Sequence, residues 1–510
     1  MDSGIGQGLL TGFAVASTPV NLLFCFLGVT LGTLIGVLPG LGPAGAIAML
    51  LPFTFGMDVT TAIIMLCGIY YGAMYGGSTT SILINIPGEV ASVVTTFDGY
   101  QMARKGRAGP ALAIAAIGSF IGGTFSVVAL TFVAAPIATV ALSFGPPEYF
   151  ALTLVGVVAA AYLSGKSLLK GLIMVIVGLM FSTIGVDIVT GGTRFTFGRI
   201  ELYSGIEIVP ILMGIFGITE IMFLVEQPFL RQEIQSRVRL RDLWPSHMEL
   251  RASAGPIARG SLIGFVIGLL PGAGAMVSSF LSYAAEKKLS KHPEAFGTGV
   301  IEGVAGPETA NNSAAGGAMI PLLVLGVPYS IITAIMLSAL ITHGLSPSPM
   351  LMTKQPEFFW GVVASMYIGN VLCVILNLPL VGMWVSILRV PFAKLFPLVL
   401  LCCVVGVYTI NSRLFDLWVM IASGGIGYLL RKADYPAAPL VLALVLGPLM
   451  ENAMRQSILI SHGDPFIFFT RPISGVLMFV SLVFVSLPFV GWLARRLGGA
   501  WRFKEGNSSL

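Results

Sequence analysis

Charge is what this sequence has least of. Of its 510 residues, 28 are Lys or Arg and 23 are Asp or Glu, so 10% of the chain is charged. Soluble domains carry about 25%, and a water-facing surface of ordinary extent cannot be built from so few. Histidine is as scarce: there are four, scattered, none with a neighbour at metal-ligand spacing. The five cysteines (Cys25, Cys67, Cys373, Cys402 and Cys403) lie in apolar runs without a CxxC pair, which reads as small hydrophobes packed between helices. No Lys or Arg precedes Arg104, so the positive region of a secretory signal is missing. With a net charge of +5 and basic residues confined to short loops, no nucleic-acid footprint is expected.

What the chain does have is apolar length: 56% of it is hydrophobic. A bilayer core of ~30 Å takes ~20 helical residues per crossing, which allows roughly ten to twelve crossings. Uncharged stretches place spans near residues 20–38, 58–76, 111–141, 147–163, 167–186, 204–225, 257–270, 358–388, 397–411, 414–430, 437–450 and 473–494. Only helices and closed barrels satisfy backbone polar groups in lipid, and the period-two alternation of a barrel is absent. The expectation is an all-α polytopic membrane protein of about 12 spans. Lys and Arg of short loops mark the cytoplasmic side: Arg104, Lys105 and Arg107; Lys166 and Lys170; Arg231 to Arg259; Lys287, Lys288 and Lys291; Arg389 and Lys394; Arg431 and Lys432; Arg495 and Arg496. That leaves Arg194, Arg199 and Arg413 outside, and predicts a periplasmic N-terminus and a cytoplasmic C-terminus.

A repeat runs through the chain. Gly36-Val-Leu-Pro39-Gly40-Leu-Gly42 returns as Gly268-Leu-Leu-Pro271-Gly272-Ala-Gly274, and the segment Gly76 to Pro87 is answered more loosely by Gly317 to Pro328. Flanking charge reverses between the copies. The first has no basic residue before it and three just after; the second has six arginines before it and only Lys354 after. Inverted-topology repeats account for this with one assumption, and they typify secondary transporters with sites near the midplane. The expected division is a first half at 1–226, a basic cytoplasmic linker at 227–256 and a second half at 257–510.

Pro39-Gly40-x-Gly42 and Pro271-Gly272-x-Gly274 interrupt helices inside apolar sequence. Such re-entrant or discontinuous backbone is tolerated at membrane depth only where it is buried or lines a wet cavity. The half-helix that follows offers free N–H groups to an anion, and the one that precedes offers carbonyls to a cation. A kink between packed helices is the plainer alternative. Polar residues gather beside the breaks: Ser78, Thr79, Thr80, Ser81 and Asn85 in the first half, Glu308, Thr309, Asn311, Asn312 and Ser313 in the second. Buried amides need partners, which a ligand or a neighbouring backbone could supply. Among ionisable groups in apolar surroundings, Glu302 and Glu308 have the stronger case because the asparagine pair follows them; Asp98, near the Arg104 cluster as Glu89 also is, reads as interfacial, and Glu220 as snorkelling or ion-paired near the inner end of its span.

GVLPGLGPAGAIAMLLP, YGGSTTSILINIPGE, TTFDGYQMARKGRAGPALAIAAIGSFIGG and GPETANNSAAGGAMIPLLVLGVP together resemble the large membrane subunit of tripartite tricarboxylate transporters, the TctA family, over nearly the whole chain. The resemblance implies import of an organic carboxylate, citrate-like or smaller, across the bacterial inner membrane, driven by a cation gradient. It also implies two partners, a small four-span membrane subunit (TctB-like) and a periplasmic substrate-binding protein (TctC-like). No organic cofactor is expected, only Na⁺ or H⁺ as coupling ion. The candidate substrate contacts are Gly40, Gly42, Ser78, Thr79, Thr80, Ser81, Asn85, Gly272, Gly274, Asn311 and Asn312. The candidate cation ligands are Pro39, Gly40, Pro271, Gly272, Glu308 and Thr309. A channel would need a continuous polar file, an enzyme a metal cluster or a nucleophile–base pair; a non-transporting carboxylate receptor is the third alternative.

Overall fold

The computed structural model describes residues 2–38, 42–163, 167–187, 189–226, 243–270, 274–387 and 392–497. The chain opens with α1 (Asp2–Ala16) and α2 (Pro19–Val37), then α3 (Gly42–Leu50) and α4 (Val59–Ile84). Next come α5 (Thr95–Arg104), α6 (Ala108–Ala141), α7 (Pro146–Leu163) and α8 (Leu168–Ser182). A two-residue hairpin of β1 (Gly185–Val186) and β2 (Thr193–Arg194) precedes α9 (Ile208–Leu212), which runs through a π-helical turn at Met213–Ile218 into α10 (Thr219–Glu226). The second half holds α11 (His247–Gly268), α12 (Gly274–Leu289), α13 (Glu302–Gly317), α14 (Ile331–Thr342), α15 (Leu351–Lys354) and α16 (Pro356–Asn377). It closes with α17 (Val381–Ile387), α18 (Phe392–Asn411), α19 (Leu414–Lys432), α20 (Ala437–Ile460), α21 (Ile467–Thr470) and α22 (Pro472–Leu497).

The protein is an all-α polytopic membrane protein. Seven described helices are long and apolar enough to cross a bilayer: α2, α4, α6, α7, α16, α19 and α20. Shorter apolar helices pack between them, including α1, α8 and α14. Several boundaries differ from the sequence reading. The stretch 58–76 continues to Ile84, because the serine and threonine run after Gly77 satisfies its hydroxyls on the preceding turn (Thr80 and Ser81 both donate to the Gly77 carbonyl at 3.0 Å). Residues 358–388 form α16 and α17 instead of one span, broken before Pro379, a residue without a donor for the helix ladder. Residues 331–342 form an apolar helix the sequence reading placed no span on; at 12 residues it is shorter than a crossing requires. α11 begins at His247, capped reciprocally by Ser246 and Glu249, so the later part of the expected linker is helical and continuous with the following apolar segment.

The two halves repeat one packing device. In the first, Gly28, Gly32 and Gly36 of α2 lie against the carbonyls of Met65, Ile69 and Ala73 of α4; a methyl at any of them would sit 2.3 Å from that oxygen. In the second, Gly260, Gly264 and Gly268 of α11 lie against the carbonyls of Gly306, Ala310 and Ala314 of α13, with the same methyl at 2.5, 2.2 and 2.6 Å. Lipid offers helices no hydrophobic drive to associate, so close backbone approach through small residues holds such pairs together. The turns also correspond. Gly42 and Gly274, at the heads of α3 and α12, have φ of +58° and +67°. Asn85 and Gly326, which end α4 and the π turn Pro321–Leu325 after α13, have φ of +58° and +67°. The halves are not separate bodies: α13 packs on α6, and α16 packs on α1 and α4.

Candidate functional site

Beyond Tyr75, α4 carries Ser78, Thr79, Thr80 and Ser81, all buried. At Asn85 the chain turns, and Gly88 returns over α4: its N–H donates to the Gly77 carbonyl at 3.4 Å. A side chain at 88 would meet the Gly36 carbonyl at 2.1 Å and Gly77 Cα at 2.6 Å, so only glycine lets the strand-like return lie this close to α2 and α4. The return places Glu89 beside Gly77, where a methyl would meet Glu89 Cγ at 2.7 Å. Glu89 then caps the short 3₁₀ helix Val90–Val93: Ala91 N–H donates to its Oε2 at 2.8 Å, and Ser92 Oγ donates to its carbonyl at 2.8 Å.

α13 supplies the other face. Ser78 Oγ donates to Glu308 Oε2 at 2.5 Å, and Thr95 Oγ1, at the head of α5, donates to Glu308 Oε1. One turn further on, Asn311 Nδ2 donates to Glu89 Oε1 at 2.9 Å. Asn312 Nδ2 donates to Ser119 Oγ of α6 at 2.7 Å and to the Glu308 carbonyl at 3.1 Å. Glu308 and Asn311, three residues apart, share one helix face; Gly77 and Ser78, consecutive on α4, touch Glu89 and reach Glu308. Two carboxyl groups from different halves therefore sit in one buried cluster, with Glu308 1% and Glu89 7% exposed. Every hydrogen bond they accept among the described residues comes from a hydroxyl, an amide or the backbone; none comes from Lys or Arg.

A small cavity adjoins the cluster, lined by Tyr75, Ser78, Thr79, Ser119 and Asn377 on its polar side and by residues such as Leu112 and Leu378 on its apolar side. The other candidates fall in different places. Thr80 and Ser81 bond within α4, and Ser81 also reaches Ser92 at 2.9 Å. Asn85 is exposed at its helix end. Thr309 turns toward α6, bonding the Ala305 carbonyl at 2.7 Å and filling the space left by Gly118 and Gly122. Gly42 and Gly274 open their half-helices with empty space where a side chain would stand. Pro39, Gly40, Pro271 and Gly272 lie outside the described residues. Glu302, weighed beside Glu308, stands in the first turn of α13, while Glu89, a candidate given less weight than these two, is inside the cluster. Thr95 and Ser119 were missed: nothing local sets either hydroxyl apart, and only the packing of α5 and α6 on α13 brings Thr95 to Glu308 and Ser119 to Asn312.

The remaining buried acids are paired or capped elsewhere. Asp98, fully buried, accepts Tyr283 OH at 2.9 Å and the N–H groups of Gly297, Gly299 and Val300 at 2.9, 2.7 and 2.9 Å. Glu286 binds Arg259, Glu148 binds Arg471 at 2.6 Å, and Glu220 binds Arg431. Among the described residues no three His, Cys, Asp or Glu side chains gather as metal ligands, and the five cysteines are free. The cluster thus offers oxygen ligands to a hard cation, and hydroxyl and amide groups to an organic anion that arrives with its charge compensated.

Residues 22–442 match the tripartite tricarboxylate transporter TctA family. A 52.8 kDa protein from the TAR-I ttuC′ 3′ region of Agrobacterium vitis, described as uncharacterized, is 52% identical over 481 residues, covering 94% of this chain and 95% of that protein. An uncharacterized protein from the TAR-II ttuC′ 3′ region of the same organism is 49% identical over 224 residues, 44% of this chain and 93% of its own length. No solved structure matches.

Proposed function

The chain belongs to the tripartite tricarboxylate transporter TctA family, and from that premise we propose that it is the large permease subunit that imports an organic di- or tricarboxylate across the bacterial inner membrane, coupled to Na⁺ or H⁺. A periplasmic binding protein delivers the substrate and a small four-span subunit completes the membrane complex. The N-terminus faces the periplasm and the C-terminus the cytoplasm. The two halves are inverted repeats; the glycine-seamed pairs α2–α4 and α11–α13 support a duplication, and the reversed flanking charge supports the opposite hand. Transport proceeds by alternating access, with one part of the molecule moving past the other as an elevator. The reading assigns the chain no catalytic step.

One observation carries this reading. Two buried carboxyls from opposite halves meet at hydroxyl and amide groups without a basic partner among the described residues. An anionic substrate beside such a pair is repelled unless cations enter with it, since charges at a few ångströms interact by several kcal/mol in a poorly solvated setting (about 4 kcal/mol at 4 Å with an effective dielectric of 20). Coupling is thereby obligatory. The cavity beside Ser78, Thr79 and Ser119 supports the side from which the carboxylate is bound, with Asn312 behind it. The half-helices headed by Gly42 and Gly274 supply further N–H groups.

Uptake of radiolabelled citrate and smaller dicarboxylates by vesicles holding the three-component complex tests the proposal. Accumulation is expected only with an inward Na⁺ or proton gradient, and with counterflow of preloaded substrate. Uptake undiminished without either gradient would point to the rival anion channel, and binding without counterflow to a receptor.

A further inference from the structure

We propose that residues 243–249, which lead into α11, form a cytoplasmic strap under the cavity beside Ser78, Thr79 and Ser119. Leu243 closes that cavity, the Arg107–Glu249 ion pair fastens the strap, and the carboxylate leaves for the cytoplasm only when the strap lifts. The proposal rests on the coupled-import reading for the identity of the cargo, but the closure stands on the packing alone. The cavity holds about 20 Å³, room for a single water at about 10–15 Å³. Even the smallest dicarboxylate is several times larger. The walls therefore have to part before cargo can pass.

The walls are held unequally. The polar wall belongs to α4 and α6, both fastened to α13: Ser78 bonds Glu308, Ser119 bonds Asn312, and Gly118 and Gly122 lie against Thr309. The rest of the lining includes Leu243, Leu378 and Val381. Leu243 is buried in one apolar cluster with Leu112, Ile257 and Val381, yet among the described residues no hydrogen bond is made by residues 243–245. A segment kept in place by side-chain burial without backbone bonds opens more readily than a hydrogen-bonded helix. Its fastening lies four to six residues on. Ser246 N–H donates to Glu249 Oε2 at 2.6 Å, Glu249 N–H donates to Ser246 Oγ at 3.3 Å, and Arg107, at the N-cap of α6, binds Glu249 Oε1. The ion pair thus ties the strap to the helix that carries Ser119, and both partners are partly exposed, so water weakens the tie enough for it to release. Charge gives the side. α6 begins just beyond Arg104, Lys105 and Arg107, the strap lies between Arg241 and Arg251, and Val381 precedes Arg389 and Lys394; basic loops of this kind mark the cytoplasm.

The test reads a cysteine placed in the cavity wall, Ala115→Cys, in inside-out and right-side-out vesicles that hold the full complex. The reagent is a quaternary-ammonium methanethiosulfonate, which does not cross lipid, and the chain without the added cysteine gives the background from its five native ones. With the strap intact and no carboxylate present, labelling is expected to be slow from both faces. Adding Leu243→Ala, or Glu249→Gln, which keeps the helix cap and loses only the ion pair, should speed labelling about tenfold or more from the cytoplasmic face alone. Glu220→Gln, which removes a different ion pair, that with Arg431, should leave the rate unchanged. If Leu243→Ala lowers the folded fraction, Glu249→Gln decides. Rapid cytoplasmic labelling with the strap intact, an unchanged rate in the strap variants, acceleration from the periplasmic face, or equal acceleration by Glu220→Gln would overturn the proposal. Citrate protection and uptake measured in parallel separate the two readings. Strap-dependent labelling that no carboxylate slows, with no gradient-driven uptake by the wild type, keeps the strap and sinks the import reading. Gradient-driven uptake with labelling indifferent to the strap does the reverse.

Discussion

Ser78 Oγ lies 2.5 Å from Glu308 Oε2, joining residues 230 positions apart in the chain. Ser78 lies in the first half of the chain and Glu308 in the second, so the bond is a direct link between the two halves. Thr95 holds the other carboxyl oxygen from the same side. Any movement of one half past the other must break both.

Removing those donors is expected to impair transport more than folding. Ser78→Ala combined with Thr95→Val leaves the buried Glu308 carboxyl without its two hydroxyl partners, each worth about 1.5–3 kcal/mol when the acceptor is charged. Initial carboxylate uptake should fall about tenfold or more, with membrane abundance near wild type. Thr95→Ser should restore most of the rate, because it keeps the hydroxyl. Full activity in the double variant would remove Glu308 from the working site.

The glycine seams make a stability prediction. Gly264→Val puts a side chain where a methyl already meets the Ala310 carbonyl at 2.2 Å, and Gly32→Val does the same at the Ile69 carbonyl at 2.3 Å. Overpacking costs typically about 1–3 kcal/mol, and rigid backbone on the far side leaves little room to relax. Both variants should lower the melting temperature in detergent and the folded fraction by fluorescence-detected size exclusion. Gly425, with open space around it, is the control: Gly425→Ala should change neither.

Asp98 should act as a fastener between α5 and the loop before α13. Its carboxylate takes three backbone N–H groups and the Tyr283 hydroxyl. Asp98→Asn replaces one acceptor oxygen by a donor that faces donors, so the loop 293–301 should loosen. Limited trypsin digestion is expected to cut faster after Lys291, by several-fold, than in wild type. Equal cleavage rates would show that the loop is held by other contacts.

The hairpin between α8 and α9 should respond to acid. The N–H of Val189, with Thr190 N–H and Arg455 assisting, holds the Asp187 carboxyl down to about 2 from an ordinary value of 3.8. A carboxyl lowered on folding contributes stability that is full above 3.8 and is lost as pH falls from there toward about 2. The protection of the amides at residues 189–194, taken relative to their intrinsic exchange rates at each pH, should therefore be high at neutral pH and fall across that window. Asp187→Asn should show low protection there at every pH.

The sequence by itself settled what kind of molecule this is. So few charges and so much apolar length admit only a helical membrane protein, because lipid cannot hydrogen-bond a backbone left open. A duplication was suggested as well, since Gly36-Val-Leu-Pro39-Gly40 returns as Gly268-Leu-Leu-Pro271-Gly272, and Pro-Gly breaks are local chemistry that needs no partner to be recognised. Glu308 and the asparagines stood out as polar residues in apolar surroundings. What each of them touches was not legible. Glu89 carried less weight than Glu302 and Glu308 because its sequence neighbours run toward Arg104, and Thr95 and Ser119 looked like ordinary helix hydroxyls. Periodicity reports which face of a helix is apolar; it is silent on which other helix covers that face. Only the tertiary structure decided that the return at Gly88 carries Glu89 back over Gly77 to Asn311, since that meeting depends on backbone crossing at contact distance between segments more than 200 residues apart.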